Sequence, residues 1–179
     1  MILRKRISGR RFDRLYKTFQ LGLLATSVVM AQTSFAAVAT GVMTVTATVA
    51  GTCIVGTSTL DFGTMTSAAI QAGNIDGQGS VEVNCTNGSA YTIALGLGDG
   101  TGATFISRTM ASGVNDLNYS VYSETTRTTI WGDGTGGSST VDGTGTGLTQ
   151  SVSAYGRIFS GQNSPAANYS DIIAVTVSY

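Results

Sequence analysis

The chain has 179 residues, with 24 glycines, one proline and no histidine, and its ten basic residues balance its ten acidic residues. The lack of histidine excludes Ser-His-Asp triads, the usual zinc sites and the commonest general base. A composition rich in Gly, Thr, Ser and Val disfavours long helices and favours strands joined by tight turns.

The first 36 residues have the pattern of a secretory signal peptide. Seven basic residues lie between positions 4 and 17, an apolar run follows at 21–31, and residues 34–36 (SFA) fit the small-x-small cleavage rule. The apolar run is about half as long as the roughly 20 residues that cross a bilayer. The sequence therefore predicts cleavage after Ala36 and a mature chain without a membrane span.

Cleavage of this leader changes the charge of the protein. Seven of the ten basic residues and one acidic residue leave with it, so that Arg108, Arg127 and Arg157 face nine carboxylates, a net charge of −6. Such a surface has no basic stripe for a phosphate backbone, and nucleic acid is excluded as a partner.

Residues 42–49 (VMTVTATV) alternate between apolar and polar side chains, which predicts an amphipathic strand. Thr44, Thr46 and Thr48 share the polar face. The apolar face carries Met43, Val45, Ala47 and Val49. Residues 50–52 then form a short hinge. Pairing of this strand within its own chain, including a fold-back into its own domain, stays open as the alternative to pairing with a neighbour.

Period-two alternation continues through the rest of the chain. Strands are predicted at 58–63, 79–86, 91–97, 105–110, 117–123, 128–132, 149–159 and 171–179. Segments rich in Gly and Asp, predicted as turns, lie at 98–102, 132–137 and 142–147. No segment shows helical periodicity beyond about a turn. Many short strands separated by such turns indicate an all-β sandwich.

The predicted last strand continues to the carboxyl terminus. Its alternating apolar residues are Ile173, Val175, Val177 and Tyr179. Nothing follows to cover this strand, so we expect the sheet to lack a neighbour there. An uncovered apolar groove is an aggregation hazard unless something fills it. The alternative is that these four residues are interior residues of a complete sandwich.

Cys53 and Cys85 are the two cysteines of an exported chain, which favours a disulfide between them over two buried thiols. The acidic residues Asp99, Asp133 and Asp142 lie in Gly-rich turns, where Asp is expected for its backbone hydrogen bonds. The spacing of a calcium loop is missing. We expect no catalytic residue, no metal and no cofactor.

Six short motifs follow one another along the mature chain: LDFG (60–63), SVEVNC (80–85), LNYSVYSE (117–124), IWGDGT (130–135), VSAYGRI (152–158) and YSDIIAVTVSY (169–179). The order of these motifs, together with a first cysteine close behind the opening strand, resembles the spore coat U domain family. Within that family it is similar to pilin subunits of the archaic chaperone-usher pathway, the Csu-type biofilm pili.

The resemblance implies an incomplete immunoglobulin-like sandwich that is completed by donor-strand exchange. A periplasmic chaperone lends a strand to the gap, and at the outer-membrane usher the amino-terminal extension of the next subunit replaces it. Three parts follow: a signal peptide (1–36), a donor-strand extension with its hinge (37–52) and a pilin domain (53–179). The apolar face of 42–49 becomes the donor strand, and the apolar residues of the terminal strand become the wall of the acceptor groove.

The implied function is that of a structural pilin subunit that polymerises head to tail with copies of itself or related pilins. The fibre would stand on the surface of a Gram-negative bacterium, after export through the periplasm, and serve adhesion and biofilm formation. An enzyme is not expected, because a hydrolase would need a carboxylate pair that the sequence does not show. The alternative is a tip adhesin or a free secreted β-sandwich that binds carbohydrates or surfaces.

Overall fold

A computed structural model describes residues 34–179. The predicted signal peptide, residues 1–36, therefore lies almost entirely outside the described residues. Residues 34–52 form no helix or strand, and each of them is exposed. Within the described range, no helix is long and apolar enough to cross a membrane.

Residues 53–179 form two antiparallel sheets and one short helix. The elements are β1 (Cys53–Val55), β2 (Thr59–Asp61), α1 (Ser67–Ala72), β3 (Ile75–Cys85), β4 (Ala90–Leu95), β5 (Arg108–Ser112), β6 (Asn115–Tyr122), β7 (Val141–Thr144), β8 (Thr149–Ile158) and β9 (Val175–Ser178). The larger sheet has the order β1-β3-β8-β6-β5, with β2 paired to β3 as well, and the smaller sheet has the order β7-β4-β9.

The core lies between the two sheets and is built by the predicted alternation. Val81, Val83 and Cys85 point inward from β3, and Tyr91, Ile93 and Leu95 point inward from β4. Trp131, which is fully buried, donates its indole N–H to the Ile93 carbonyl at 3.1 Å. The prediction of an all-β sandwich is therefore confirmed.

One end of the sandwich carries the cysteines, and we call it the cysteine end. The turn at 86–89 joins β3 to β4 there, and Cys53 at the start of β1 pairs with Cys85 at the end of β3. Because Ser178 pairs with Thr92 near the start of β4, the chain also finishes at the cysteine end. The opposite end contains α1 and the segment 164–169 that leads to the terminal strand.

Several local predictions are wrong or too long. A six-residue helix occurs at Ser67–Ala72, where none was predicted, and Thr66 caps it by accepting a hydrogen bond from the Ala69 amide. β3 begins at Ile75 rather than at 79, and β7 occupies residues that were predicted as a turn. β5 starts only at Arg108, and 128–132 forms isolated bridges instead of a strand.

Candidate functional site

One long side of the sandwich is open between the two sheets. The strand β9 is an edge of the smaller sheet, and β1 is an edge of the larger one. In the described part of the chain, β9 pairs only with β4 and β1 pairs only with β3. The open side is thus bordered by two strand edges without a strand between them.

Backbone groups of both edge strands face away from the one strand with which each of them pairs. The Gly96 amide donates to the Ala174 carbonyl at 2.8 Å, so Ala174 faces β4. In an antiparallel ladder alternate residues face opposite ways, so the N–H and C=O groups of Val175 and Val177 face away from β4. The Thr86 amide bonds to the Thr52 carbonyl in the same way, which turns the backbone groups of Cys53 away from β3. These groups are available to an added strand.

An apolar groove of about 290 Å³ runs along the open side. This volume is far larger than the voids of a packed protein interior. Leu60 and Phe62 line one wall, and Ile173 and Val175 line the other. Core residues close the floor: Val81, Leu95, Val121 and Ala154. The groove therefore gives access to the hydrophobic core from outside.

A second cavity of about 490 Å³ lies towards the opposite end of the sandwich. It shares Leu60, Phe62, Met110 and Tyr169 with the groove. Its remaining wall comes from α1 and from the segment 164–169. The two spaces are therefore neighbours.

The four predicted groove residues differ in their positions. Ile173 and Val175 line the groove, whereas Val177 packs against the core nearer the cysteine end and is absent from the lining. Tyr179 follows the last residue of β9 and is 65% exposed. Val55, which the sequence did not single out, points inward from β1 opposite the fully buried Val83 but is itself 40% exposed. Val55 is exposed because, among the described residues, no further strand lies beside β1 on the open side.

The predicted donor residues are exposed. Met43, Val45 and Val49 are 80–86% exposed, and Ala47 is exposed as well. No element of secondary structure includes them. The chain thus carries an apolar segment without a strand partner directly ahead of a domain with an unfilled strand position.

Asp171 is the one ionised side chain among the residues that line the groove in the described structure. Its Oδ2 accepts a hydrogen bond from the Tyr119 hydroxyl at 2.6 Å, and its Oδ1 accepts bonds from the Asp99 and Ile172 amides at 2.8 Å each. Burial raises the pKa of Tyr119 above its ordinary value, and the bond to Asp171 adds to this effect. Tyr119 therefore stays a proton donor to the carboxylate. This pair could not be predicted from the sequence, since both residues occur in ordinary strand patterns.

Arg108, the strand partner of Tyr119, is a fully buried cation beneath this network. Its guanidinium donates to the Gly96, Phe105 and Trp131 carbonyls at 2.8–3.3 Å. Burial lowers the pKa of Arg108, while the nearby Tyr119 and Asp171 act in the other direction. Arg108 does not line the groove. Its role in the site is to hold the loops behind the groove together.

The disulfide fixes the hinge to the domain. Cys53 and Cys85 are joined, as predicted, and lie opposite each other on β1 and β3. The Thr52 amide donates to the Thr86 hydroxyl oxygen at 3.0 Å next to this bond. The disulfide and the Thr52 bond therefore attach the start of β1 to the end of β3.

Metal-binding geometry is not found in residues 34–179, where no three potential ligand side chains come together. Of the three acidic residues predicted in turns, Asp133 has the predicted local contacts and accepts bonds from the amide and the hydroxyl of Thr135 at 2.9 and 2.7 Å. The Asp99 amide bonds instead to the distant Asp171, and Asp142 lies in β7 and accepts a bond from the Thr92 hydroxyl at 2.7 Å.

The fold and the site define a two-sheet β-sandwich that lacks a strand along one side. The structure aligns with a chain of the CsuC-CsuE chaperone-tip adhesion subunit pre-assembly complex from the archaic chaperone-usher Csu pili of Acinetobacter baumannii. The TM-score is 0.52 at 20% sequence identity, and the alignment covers 74% of this chain and 40% of that chain. The likeness shows a shared fold over less than half of that chain's length.

The sequence comparisons identify the family. Residues 39–176 match the Spore Coat Protein U domain, and Protein U of Myxococcus xanthus is 33% identical over 170 residues, which cover 87% of this chain and 93% of that protein. The chain belongs to the Spore Coat Protein U domain family, and the resemblance inferred from its motifs is confirmed.

Proposed function

We propose that the chain is a structural subunit of a secreted surface fibre assembled by a chaperone-usher pathway. In this proposal the segment with Met43, Val45, Ala47 and Val49 fills the groove of a neighbouring copy or of a related subunit. The observation that carries it is the groove between β2 and β9, which is lined by core residues and lies along the edge strand β9. The matching family is described as a spore coat domain, which accords with a structural role.

The short hinge supports donation to a neighbour. A segment seated over 43–49 spans about 20 Å. If it ran antiparallel to β9, its last residue would lie towards the opposite end of the sandwich, whereas its own Cys53 lies at the cysteine end. The four Cα steps from Val49 to Cys53 reach at most about 14 Å. A chain could not fill its own groove in this direction.

Antiparallel insertion also gives a repeating assembly. The donor's domain would then sit at the opposite end of the acceptor, and the acceptor's own segment would leave from its cysteine end. Each copy uses two different surfaces, so the contact is head to tail and forms an open fibre. If the segment ran parallel to β9, the donor's domain would lie at the cysteine end of the acceptor. The acceptor's own segment leaves from that same end, so the two would compete for the same space.

The chemistry of the segment suits the groove. Backbone pairing with the free groups of Val175 and Val177 supplies affinity, and alternate side chains entering the groove supply register. Each buried Val or Met contributes about 1.5 to 3 kcal/mol. Three such residues and Ala47 form a durable joint.

The proposed partners before assembly are a periplasmic chaperone and an outer-membrane usher. A groove that opens onto the core needs cover during export. A chaperone strand would provide it, and the usher would be the place of exchange. The aligned structure from Acinetobacter baumannii is itself described as a chaperone-subunit complex. Adhesion and biofilm formation by the finished fibre are part of the same proposal.

A chain extended at its carboxyl terminus tests the proposal. Tyr179 ends at the cysteine end, so a four-residue turn followed by a copy of residues 41–50 would place the copy antiparallel to β9 in the same molecule. We expect a monomer whose Tm exceeds that of the unextended leaderless chain by at least about 10 °C, since several kcal/mol are gained. An extension with the same residues in scrambled order is the control. An equal Tm for all three chains would contradict the proposal.

A further inference from the structure

We propose that Asp171 is a charge filter in the groove, which favours neutral or basic inward-facing residues of an incoming strand and rejects acidic ones. This inference rests on the proposed function and adds a specificity-determining residue to it. Its starting observation is that Asp171 supplies the one ionised side chain of the groove lining in the described residues.

The position of Asp171 is fixed from three directions. The Tyr119 hydroxyl holds Oδ2, and the Asp99 and Ile172 amides hold Oδ1. A Cβ on Gly98 would overlap the carboxylate, so the loop after β4 encloses it closely. The carboxylate cannot swing out to solvent without breaking these bonds, and it meets an incoming strand at a set place.

Arg108 attracts Asp171 from behind the groove but forms no ion pair with it in the described residues. Arg108 spends its guanidinium on three main-chain carbonyls and lies outside the groove lining. Asp171 lines the groove and lies at the surface that the strand approaches. A negative side chain on the strand would meet a carboxylate in a site that insertion dries, where repulsion is strongest.

The chain's own donor segment fits such a filter, because residues 34–60 contain no charged residue. Several other strands of the same chain carry acidic residues and do not fit it. β3 carries Asp76 and Glu82, and β7 carries Asp142. The filter thus distinguishes the donor segment from acidic strands of unfolded or partly folded copies.

The register predicts which donor residue meets Asp171. An antiparallel strand that sets Met43 against Val177 and Val45 against Val175 brings Val49 opposite Asp171. Val45 then lies about 13 Å away along the strand. The electrostatic interaction with Asp171 should be strong for a charge placed at Val49 and weak for one placed at Val45.

The test uses the carboxyl-terminally extended full chain, with changes in the appended copy of the donor strand. Val49→Asp should lower the Tm by about 5 °C more, relative to the isosteric Val49→Asn, than Val45→Asp does relative to Val45→Asn, because only Val49 adds repulsion from Asp171 to the cost of burying a charge. In an Asp171→Asn background the difference at Val49 should fall to that at Val45. In a Tyr119→Phe background, which keeps the carboxylate, it should persist.

A second pair of variants decides the question even if Asp171→Asn does not fold. Val49→Lys should be more stable than Val49→Gln in the otherwise unchanged protein, because the filter attracts a cation. If the Lys and Asp variants both lose stability against their neutral counterparts, burial of charge explains the data and the filter is wrong. If the unmodified extension gives no increase in Tm, the proposed function fails, and the filter fails with it.

Discussion

The Tyr119 hydroxyl donates a hydrogen bond to Asp171 Oδ2 at 2.6 Å. This bond links β6 of the larger sheet to the segment that enters the smaller sheet. One residue earlier, Ser170 exchanges backbone hydrogen bonds with Ala111 of β5. Three residues later, Ala174 bonds to Gly96 beyond β4. The terminal segment therefore crosses from one sheet to the other at Asp171, and the wall of the groove depends on this crossing.

Replacing Tyr119 by Phe should destabilise the domain by about 1.5 to 3 kcal/mol, the usual range for a hydrogen bond to a charged group. Urea unfolding of the leaderless, oxidised chain measures the change. Tyr155→Phe is the matched control, because the structure gives the Tyr155 hydroxyl no hydrogen bond within residues 34–179 and its ring lies under Arg127. Equal losses for the two variants would show that the bond to Asp171 contributes nothing.

Loss of the disulfide should lower the free energy of unfolding of the domain before it changes which strand the groove accepts. The bond closes a loop with a sequence separation of 32 residues, worth about 3 to 4 kcal/mol in the chain-entropy model. We expect Cys53→Ala with Cys85→Ala to shift the urea midpoint accordingly, while the extended chain still gains stability from its appended strand. If the double variant had the same urea midpoint as the parent chain with its disulfide intact, this expectation would be contradicted.

Asp76 should make the domain less stable in acid. The pKa of Asp76 is lowered, first by the hydrogen bond from Arg157, with Nε to Oδ1 at 2.7 Å, and further by Arg127. Because the folded pKa lies below the unfolded one, the stabilisation is present above about pH 4 and is lost as the pH falls through the folded pKa.

The Asp76→Asn variant measures this contribution. At pH 7 it should cost less than about 1 kcal/mol, since the ion pair is partly exposed. Near pH 2 the parent and the variant should unfold at the same urea concentration. A difference that stays constant between pH 7 and pH 2 would assign the effect to packing and not to charge.

The strand faces and the disulfide could be predicted because each depends on a short pattern. Alternation places Val83 and Ile93 inside whatever the rest of the chain does, and two cysteines of an exported chain have one obvious partner each. The apolar alternation after Ile173 predicts a wall of an uncovered space. Ile173 and Val175 line the groove, and their contact with a donor strand stays a prediction.

Two glycines of strands were missed, because a turn and a close approach use the same residue. Gly77, ahead of the predicted strand start at 79, lies within β3, where a Cβ would overlap the Asp61 carbonyl at the end of β2. Gly143 lies within β7 beneath the ring of Tyr91, so this Asp-Gly pair is part of a strand. Only the residue that packs against the glycine in the folded structure distinguishes a turn from a close approach. The Tyr119–Asp171 pair was equally out of reach, since 52 residues separate its members.

A charge on the apolar face of the donor segment should stop assembly. Val45→Asp would carry a carboxylate into the groove at a cost of several kcal/mol. Thr46→Asp is the matched control, because its side chain lies on the other face of the strand and would remain in water. Fibre yield at the cell surface, with subunit level in the periplasm as a reference, measures the effect. Equal yields for both variants would argue against the proposed face.

The most direct test of the central claim is a crosslink between two copies. Chains with Val45→Cys and chains with Val175→Cys, produced together, should give disulfide-linked dimers on non-reducing gels after oxidation, and either chain alone should not. Thr46→Cys paired with Val175→Cys should give few dimers. If the dimers fail to form in assembled material, or if a chain with both changes links only to itself, the neighbour does not supply the missing strand.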